Sequence, residues 1–252
     1  MDTRTVLIAA KNLLLGANLK SLGLLTRPKE AVHYATECLF IDRTMHSSDD
    51  LPQRHPWLVF DVSSNIPIVL VPDAAGEWFK PMPSFGVDLV GLCSIVQIVK
   101  PRTIFEVGTY HGSGAIHLSA NAPQAEVYTL DLAPSDRTSL EITSVDVHHI
   151  DGRRYDDLGA RIHRLFGDSA TFDFSPFHNQ VDLFFIDGAH SYAYVRSDTE
   201  KALQCVKKGG VIAWHDYGRC GVNGVSRWLH ELRNDGRTIY RVPGSSLAYM
   251  VA

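Results

Sequence analysis

The sequence has few cysteines, no basic block, no internal repeat and no low-complexity tract. Its four cysteines form neither a CxxC pair nor a disulfide-like spacing, which indicates reduced thiols in a cytoplasmic protein. The net charge of −4 gives no support to a surface that binds nucleic acid. The 252 residues, 45% of them apolar, predict one substantial core, most simply that of a single elaborated α/β domain.

Residues 5–25 are apolar, but four polar side chains interrupt them. A signal peptide or a bilayer span needs a continuous apolar stretch, so we expect neither a cleaved leader nor a transmembrane segment. A helix that is apolar on most of its circumference typically packs in the interior or joins two protomers in a homo-oligomer, and loose attachment to a membrane surface is the alternative. The interrupting residues are Lys11, Asn12, Asn18 and Lys20.

A second helix is expected from about Arg27 to Glu37, and residues 46–83 then carry six prolines and two tryptophans. A long irregular stretch before a nucleotide-binding fold is often a lid or substrate cap, and a packed extension is the equal alternative. We therefore divide the chain into an N-terminal helical and irregular extension with a candidate lid, residues 1–83, and a main domain, residues 84–252. A helix from Val87 to Val99 is expected to begin that domain.

The chain is organised around residues 103–131, which predict a strand, a glycine-rich loop, a helix and a second strand. This order is typical of a mononucleotide-binding half of a doubly wound fold. Glycines let the loop turn sharply and lie close to a ligand, while Asp131 at the strand end is placed to accept hydrogen bonds from ribose hydroxyls. The four elements are residues 103–107, 108–114, 115–120 and 127–131.

The glycine spacing and a preceding carboxylate bear on which nucleotide is expected. The pattern is Glu106-x-Gly108-x-x-x-Gly112-x-Gly114 rather than Gly-x-Gly-x-x-Gly. A dinucleotide site presents bare amides to a pyrophosphate, whereas like charges about 5 Å apart repel by roughly 3 kcal/mol at an effective dielectric near 20. Glu106 therefore disfavours phosphate and favours a cofactor with cationic groups. Glycines that serve loop geometry alone are the alternative.

Five further strands complete the predicted sheet, after a polar connection at residues 133–160 that shows no clear strand. They are expected at 162–166, 181–186, 211–214, 238–242 and 246–251, with helices at 194–207, stopped by Gly209-Gly210, and at 222–234. Continuous apolar runs such as residues 181–186 suit parallel strands that are buried on both faces. The prediction is a Rossmann-like, doubly wound, seven-stranded and mostly parallel sheet with a terminal antiparallel hairpin.

Polar side chains gather at three of the strand ends, where ligands of open α/β sheets bind. Asp168 is placed to accept from an adenine amino group, with a helix N-cap as the alternative. Asp187, His215 and Asp216 offer ligands for a divalent cation, and Mg2+ would lower the pKa of a bound hydroxyl. His190 is placed to take the hydroxyl proton. Capping acids and polar loop histidines without a catalytic role are the alternative.

Residues 84–251 resemble a class I methyltransferase domain that depends on S-adenosyl-L-methionine (SAM). The stretch Val181–Tyr217, with DLFFIDGAHSY and KGGVIAWHDY, is similar to the Methyltransf_24-like subfamily that includes macrocin-type sugar O-methyltransferases. The resemblance implies an enzyme that methylates a hydroxyl of a small molecule, such as a sugar, a glycoside or a related metabolite. By position it implies a SAM site at Glu106, Gly108, Thr109, Tyr110, Gly112, Gly114, Asp131, Leu132, Asp168, Ser169 and Asp187.

The resemblance does not decide between a metal-dependent and a metal-free reaction, because of the residue at position 215. Metal-dependent relatives place an acid where this chain has His215, and an imidazole is a poorer ligand for Mg2+ than a carboxylate. Either Asp187 and Asp216 still hold a cation, or His215 joins His190 in metal-free general-base catalysis. An NAD-dependent oxidoreductase and a nonenzymatic SAM-binding module are the alternatives from other classes.

Overall fold

The computed structural model describes residues 50–79, 83–133, 136–143, 146, 159–219 and 222–252. The helices expected at residues 5–25 and 27–37, and with them the choice between packing in the interior and contact between protomers, lie outside the described residues. Two of the four cysteines, Cys93 and Cys205, are described, and both are buried free thiols.

Seven strands of the described residues form one sheet. They are β1 (Thr103–Val107), β2 (Glu126–Asp131), β3 (Ile162–Phe166), β4 (Val181–Ile186), β5 (Val206–Trp214), β6 (Tyr240–Arg241) and β7 (Ala248–Val251). Their order is β3-β2-β1-β4-β5-β7-β6. The first five strands pair in parallel, whereas β7 runs antiparallel to both β5 and β6. The predicted doubly wound sheet with a terminal antiparallel hairpin is confirmed.

Helices cover both faces of this sheet. Those of the described residues are α1 (Pro56–Val59), α2 (Pro72–Phe79), α3 (Pro83–Val99), α4 (Ser113–Asn121), α5 (Tyr192–Cys205) and α6 (Asn223–Asn234). Because strand side chains alternate, Phe105 and Phe184 pack with α5 and α6, while Ile104 and Leu183 pack with α3 and α4. None of the helices in the described ranges has the length and apolarity needed to span a membrane.

Helix α5 ends two residues before Lys207, where the sequence predicted its end. The Ser191 hydroxyl accepts an amide N–H of the first turn and caps α5, which ends at Cys205. Strand β5 begins at Val206 and contains Gly209-Gly210, and its register against β4 shifts nearby. A Cβ on the second glycine would lie 2.7 Å from Val206 Cγ1. These glycines therefore allow close packing within an irregular strand instead of ending a helix.

Residues 50–79 pack against the main domain, in part through hydrogen bonds between their backbone and side chains of α4. The Val69 N–H donates to Asn121 Oδ1, and Asn121 Nδ2 donates to the Val69 carbonyl, both at 2.8 Å. The Val71 N–H donates to His117 Nε2 at 3.2 Å, so this buried histidine has a structural role. A division of the chain at residue 83, with a lid before it, stays a prediction.

Asn121→Ala is expected to loosen residues 65–71 from the domain. The variant loses two hydrogen bonds to Val69, so the free energy of unfolding should fall by about 2 kcal/mol, at about 1 kcal/mol for each bond. A denaturant titration measures that loss, and limited proteolysis with mass spectrometry should show faster cleavage within residues 65–71. Ser119→Ala, on the same helix, is the matched control. Equal cleavage of both variants would contradict this docking role.

Candidate active site

A cavity of about 320 Å³ opens at the carboxyl ends of the parallel strands. Every residue that the sequence analysis selected for cofactor, base or metal lines it, apart from Gly112, which lies beside it as the N-cap of α4. Trp78, Phe85 and Arg219 add walls that the sequence analysis did not assign. The structure therefore brings the separate strand-end motifs to one place, and their individual roles stay predictions.

Two glycines of the loop have no space for a side chain. A Cβ on Gly108, which has φ +98°, would lie 2.0 Å from the Asp187 carbonyl oxygen, and this backbone conformation itself favours glycine. A Cβ on Gly114 would lie 2.2 Å from Glu106 Oε1. The spacing of the motif thus follows from the close approach of β1, β4 and the first turn of α4.

Glu106 is buried beneath this loop with only 1% of its surface exposed. The Thr129 hydroxyl donates to Glu106 Oε2 at 2.5 Å, and Thr109 Oγ1 lies 2.7 Å from the same hydroxyl. Burial raises the pKa of Glu106 to about 8, although the hydrogen bond from Thr129 opposes this rise. Without a ligand the carboxyl is therefore mostly protonated at neutral pH, which differs from the fixed negative charge that the sequence analysis assumed.

Asp131 is oriented by two backbone amides at the end of β2. Its Oδ2 accepts from the Tyr110 N–H at 3.0 Å, and its Oδ1 accepts from the Leu132 N–H at 2.9 Å. Tyr110 has φ 44°, a left-handed conformation that is uncommon outside glycine and often marks functional loops. Because Asp131 lines the cavity, these two amides fix the direction in which its carboxylate faces there.

Asp168 joins the cavity to the connection after β2, which the sequence analysis could not interpret. Its Oδ2 accepts from the Ser139 N–H at 2.6 Å, and its Oδ1 accepts from the Ala170 N–H at 2.9 Å and the Tyr194 hydroxyl at 2.8 Å. Burial raises the pKa of Asp168, but the hydrogen bonds outweigh it and the net shift is downward. Segment 136–143 therefore contributes to the wall at the predicted adenine end.

His190 is held between two carboxylates. Its Nδ1 is hydrogen-bonded to Asp146 Oδ1 at 2.5 Å. Its Nε2 lies 2.5 Å from Asp216 Oδ2, and this contact is an ion pair whose angles do not meet those of a hydrogen bond. Burial alone lowers the pKa of His190, but Asp216 and Asp146 outweigh it and raise this pKa to about 10. Sequence reasoning missed Asp146 because it lies in a polar connection without a recognisable motif.

His215 contacts three carboxylates. Its Nδ1 lies 3.0 Å from Asp187 Oδ1 and 3.1 Å from Asp216 Oδ1, while its Nε2 lies 3.2 Å from Asp88 Oδ2. Burial alone lowers the pKa of His215, but Asp216 and Asp187 outweigh it and raise this pKa well above the ordinary value. Burial alone raises the pKa of Asp216, yet His215 and His190 hold it well below its usual range.

The group best placed to hold a divalent cation consists of Asp187, His190 and Asp216. One ligand atom from each lies within 4.8 Å of the other two, as found among the described residues. The sequence predicted His215 as the third ligand, but that imidazole lies within ion-pair distance of both carboxylates and of Asp88. Two carboxylates with one imidazole suit Mn2+, Fe2+ or Zn2+ better than Mg2+.

Comparison with known proteins gives one family match. A model of the family Methyltransf_24, described as a methyltransferase domain, matches residues 105–217, from β1 to the strand end that carries His215 and Asp216. No curated protein matches the chain.

Three solved structures share the fold with TM-scores of 0.50 or above. The S-adenosylhomocysteine (SAH)-bound methyltransferase PaMTH1 of Podospora anserina is 16% identical, with a TM-score of 0.50 over 72% of this chain and 88% of that one. The O-methyltransferase NovP is 15% identical, with a TM-score of 0.51 over 66% and 79%. The calicheamicin methyltransferase CalS11 is 15% identical, with a TM-score of 0.52 over 75% and 97%. At these identities the likeness establishes the fold.

Glu106→Gln is expected to stabilise the protein increasingly as the pH rises. Because the pKa of Glu106 is raised from 4.5 to about 8 on folding, the wild type loses stability as the pH rises through this window. A glutamine carries no such penalty, so the difference in Tm between variant and wild type should grow from pH 5 to about pH 8 and then level off. Glu200→Gln on α5 is the exposed control. A Tm difference that does not change with pH would contradict the buried, protonated carboxyl.

Proposed function

We propose that this chain, whose residues 105–217 match a methyltransferase-domain family, transfers the methyl group of SAM to a hydroxyl oxygen of a small molecule, such as a sugar, a glycoside or a related metabolite. One observation carries the proposal: a single cavity joins the glycine loop to the cluster of carboxylates and histidines. Methyl transfer requires that the methyl carbon and the acceptor oxygen be held in line. A cavity with a cofactor end, at the glycine loop, and a reaction end, at the carboxylates and histidines, fits that requirement.

The cofactor end would hold SAM through carboxylates and bare backbone. When bound, SAM supplies an electrophilic methyl group on a sulfonium. Glu106 in its ionised form would balance the cationic groups of the cofactor, and Gly108 leaves the backbone accessible. Asp131 would accept from the ribose hydroxyls, and Asp168 would accept from the adenine amino group, since both carboxylates line the cavity and each carboxylate oxygen can accept more than one hydrogen bond.

The reaction end would receive the proton of the acceptor hydroxyl. With its pKa raised to about 10 by Asp216 and Asp146, His190 is mostly protonated at pH 7 in the ligand-free cluster. A cation held by Asp187, His190 and Asp216 would lower the pKa of a coordinated hydroxyl, and His215 would then be the remaining base. Without a cation, His190 and His215 together would serve as the base once a bound acceptor changes their surroundings.

The reaction end of the cavity has an aromatic wall. The ring centroids of Trp78 and Phe85 lie 5.3 and 5.4 Å from that of His215, and the Arg219 guanidinium lies 4.2 Å from the centre of the Phe85 ring. Aromatic faces cover the apolar side of a ring, while a guanidinium donates to oxygen substituents. This pairing supports a hydroxylated ring as acceptor and a capping role for the helices that carry Trp78 and Phe85.

Asp131→Ala is expected to weaken SAH binding by about tenfold or more, because each lost hydrogen bond to a charged group contributes about 1.5–3 kcal/mol. Calorimetric titration of the purified protein with SAH measures the affinity. Glu126→Ala, at the opposite end of the same strand, should bind SAH like the wild type. Binding of NAD without binding of SAH would reject the proposed function in favour of an oxidoreductase, and equal effects of both variants would reject the role of Asp131.

Asp187→Asn is expected to abolish or strongly weaken the binding of Mn2+, because the candidate site then loses a charged oxygen ligand. In the wild type, Mn2+ should bind more tightly from pH 6 to pH 8 and release protons, since a bound cation displaces the proton of His190. Calorimetry in buffers of different ionisation enthalpy measures both. Asp182→Asn, at the other end of the same strand, is the control. Absence of Mn2+ binding in all three proteins would favour the metal-free route.

A further inference from the structure

Asp88 is a buried acid in an otherwise uncharged helix. The sequence of α3, PSFGVDLVGLCSIVQIV, contains no other charged residue, and the Asp88 side chain is 0% exposed. A carboxylate in such a position is strongly unfavourable unless hydrogen bonds and opposite charge compensate it. The partners of Asp88 therefore indicate why an acid stands at this place in an apolar helix.

Those partners are a serine of the terminal hairpin and a histidine of the candidate site. The Ser246 N–H donates to Asp88 Oδ1 at 2.6 Å, and the Ser246 hydroxyl donates to Oδ2 at 2.8 Å. His215 Nε2 lies 3.2 Å from the same Oδ2. The Ser246 carbonyl in turn accepts from the Tyr217 N–H at 2.9 Å. Asp88 and Ser246 thus hold the end of β5 from behind, on the side away from the cavity.

The His215 ring is enclosed by three aromatic side chains. Trp78, Phe85 and Phe185 surround it, with ring centroids at 5.3, 5.4 and 6.5 Å, and only 7% of its side chain is exposed. With Nε2 directed at Asp88, the ring presents Nδ1 to Asp187 and Asp216 at the cavity. The two nitrogens of His215 therefore face different surroundings: Nε2 faces Asp88 behind the site, and Nδ1 faces the carboxylates at the cavity.

We propose that Asp88 is a positioning residue for the methyl-transfer reaction. It fixes His215 through Nε2, so that Nδ1 faces the position of the acceptor hydroxyl. A carboxylate can only accept, so Nε2 carries a proton. The logic is that of the carboxylate in a catalytic triad, which orients an imidazole without touching the substrate. The role of Nδ1 rests on the proposed function, whereas the state of Nε2 can be measured without any cofactor.

Asp88→Asn tests this role because the Ser246 N–H requires an acceptor at the Oδ1 position, so the amide NH2 takes the Oδ2 position and donates to Nε2 where the carboxylate could only accept. The readout is the ¹⁵N NMR spectrum of the imidazoles of the full chain, in which His215→Gln identifies the signals of His215. We expect a protonated Nε2 in the wild type and loss of that Nε2–H signal in Asp88→Asn. Ser246→Ala also removes a hydrogen bond from Asp88, and it should lower Tm while keeping the Nε2–H signal.

An Asp88→Asn protein that keeps the Nε2–H signal, or a Ser246→Ala protein that loses it, would overturn the proposal in favour of a purely structural acid. Should Asp88→Asn not fold, the wild-type spectrum still decides, because an unprotonated Nε2 in the wild type contradicts the proposal. SAH affinity is expected to stay unchanged in both variants, since neither residue lines the cavity. Failure of the wild type to bind SAH would reject the proposed function and leave the assignment of Nε2 standing.

Discussion

The reaction end of the cavity depends on one carboxylate, that of Asp216, held between two imidazoles. It lies 2.5 Å from His190 Nε2 and 3.1 Å from His215 Nδ1, and only 2% of the residue is exposed. Its backbone has φ 63°, a left-handed conformation that costs free energy and that the surrounding contacts must hold. A carboxylate this deeply buried is tolerated only with opposite charge beside it. The Arg219 guanidinium also donates to Asp216 Oδ1, so the position of the strand end depends on this arginine as well as on both histidines.

The same contacts continue into an alternating chain of acids and imidazoles, from Asp146 through His190, Asp216 and His215 to Asp88. The chain connects the segment after β2, the ends of β4 and β5, and helix α3. Removal of one member leaves a buried charge without its partner, so single variants change the protonation of their neighbours as well as their own contact. For this reason the conservative amide variants and the controls at opposite strand ends carry more information than alanine substitutions in the cluster.

The sequence could predict motifs whose residues are close together in the chain, but not pairs of distant residues that only the fold brings into contact. The glycine loop, Asp131 and the motif around Asp187 were found because their spacing along the chain carries the signal, and the expected Methyltransf_24 resemblance is confirmed over residues 105–217. Asp88 and Asp146 were missed because they meet their histidines across 127 and 44 positions. The one local signal for Asp88 was an acid within an apolar helix, since such a charge needs a partner.

The buried state of Glu106 changes the argument for a cationic cofactor. A carboxyl with a pKa of about 8 is mostly neutral at pH 7, so simple repulsion of phosphate is weaker than an ionised residue would give. Its place in the structure matters more, because Oε1 fills the space beside Gly114 in the first turn of α4. A helix N-terminus is where a dinucleotide site would receive its pyrophosphate. A cationic ligand at this position would gain by ionising Glu106, so its binding would release a proton, whereas a phosphate would meet the carboxyl in either state.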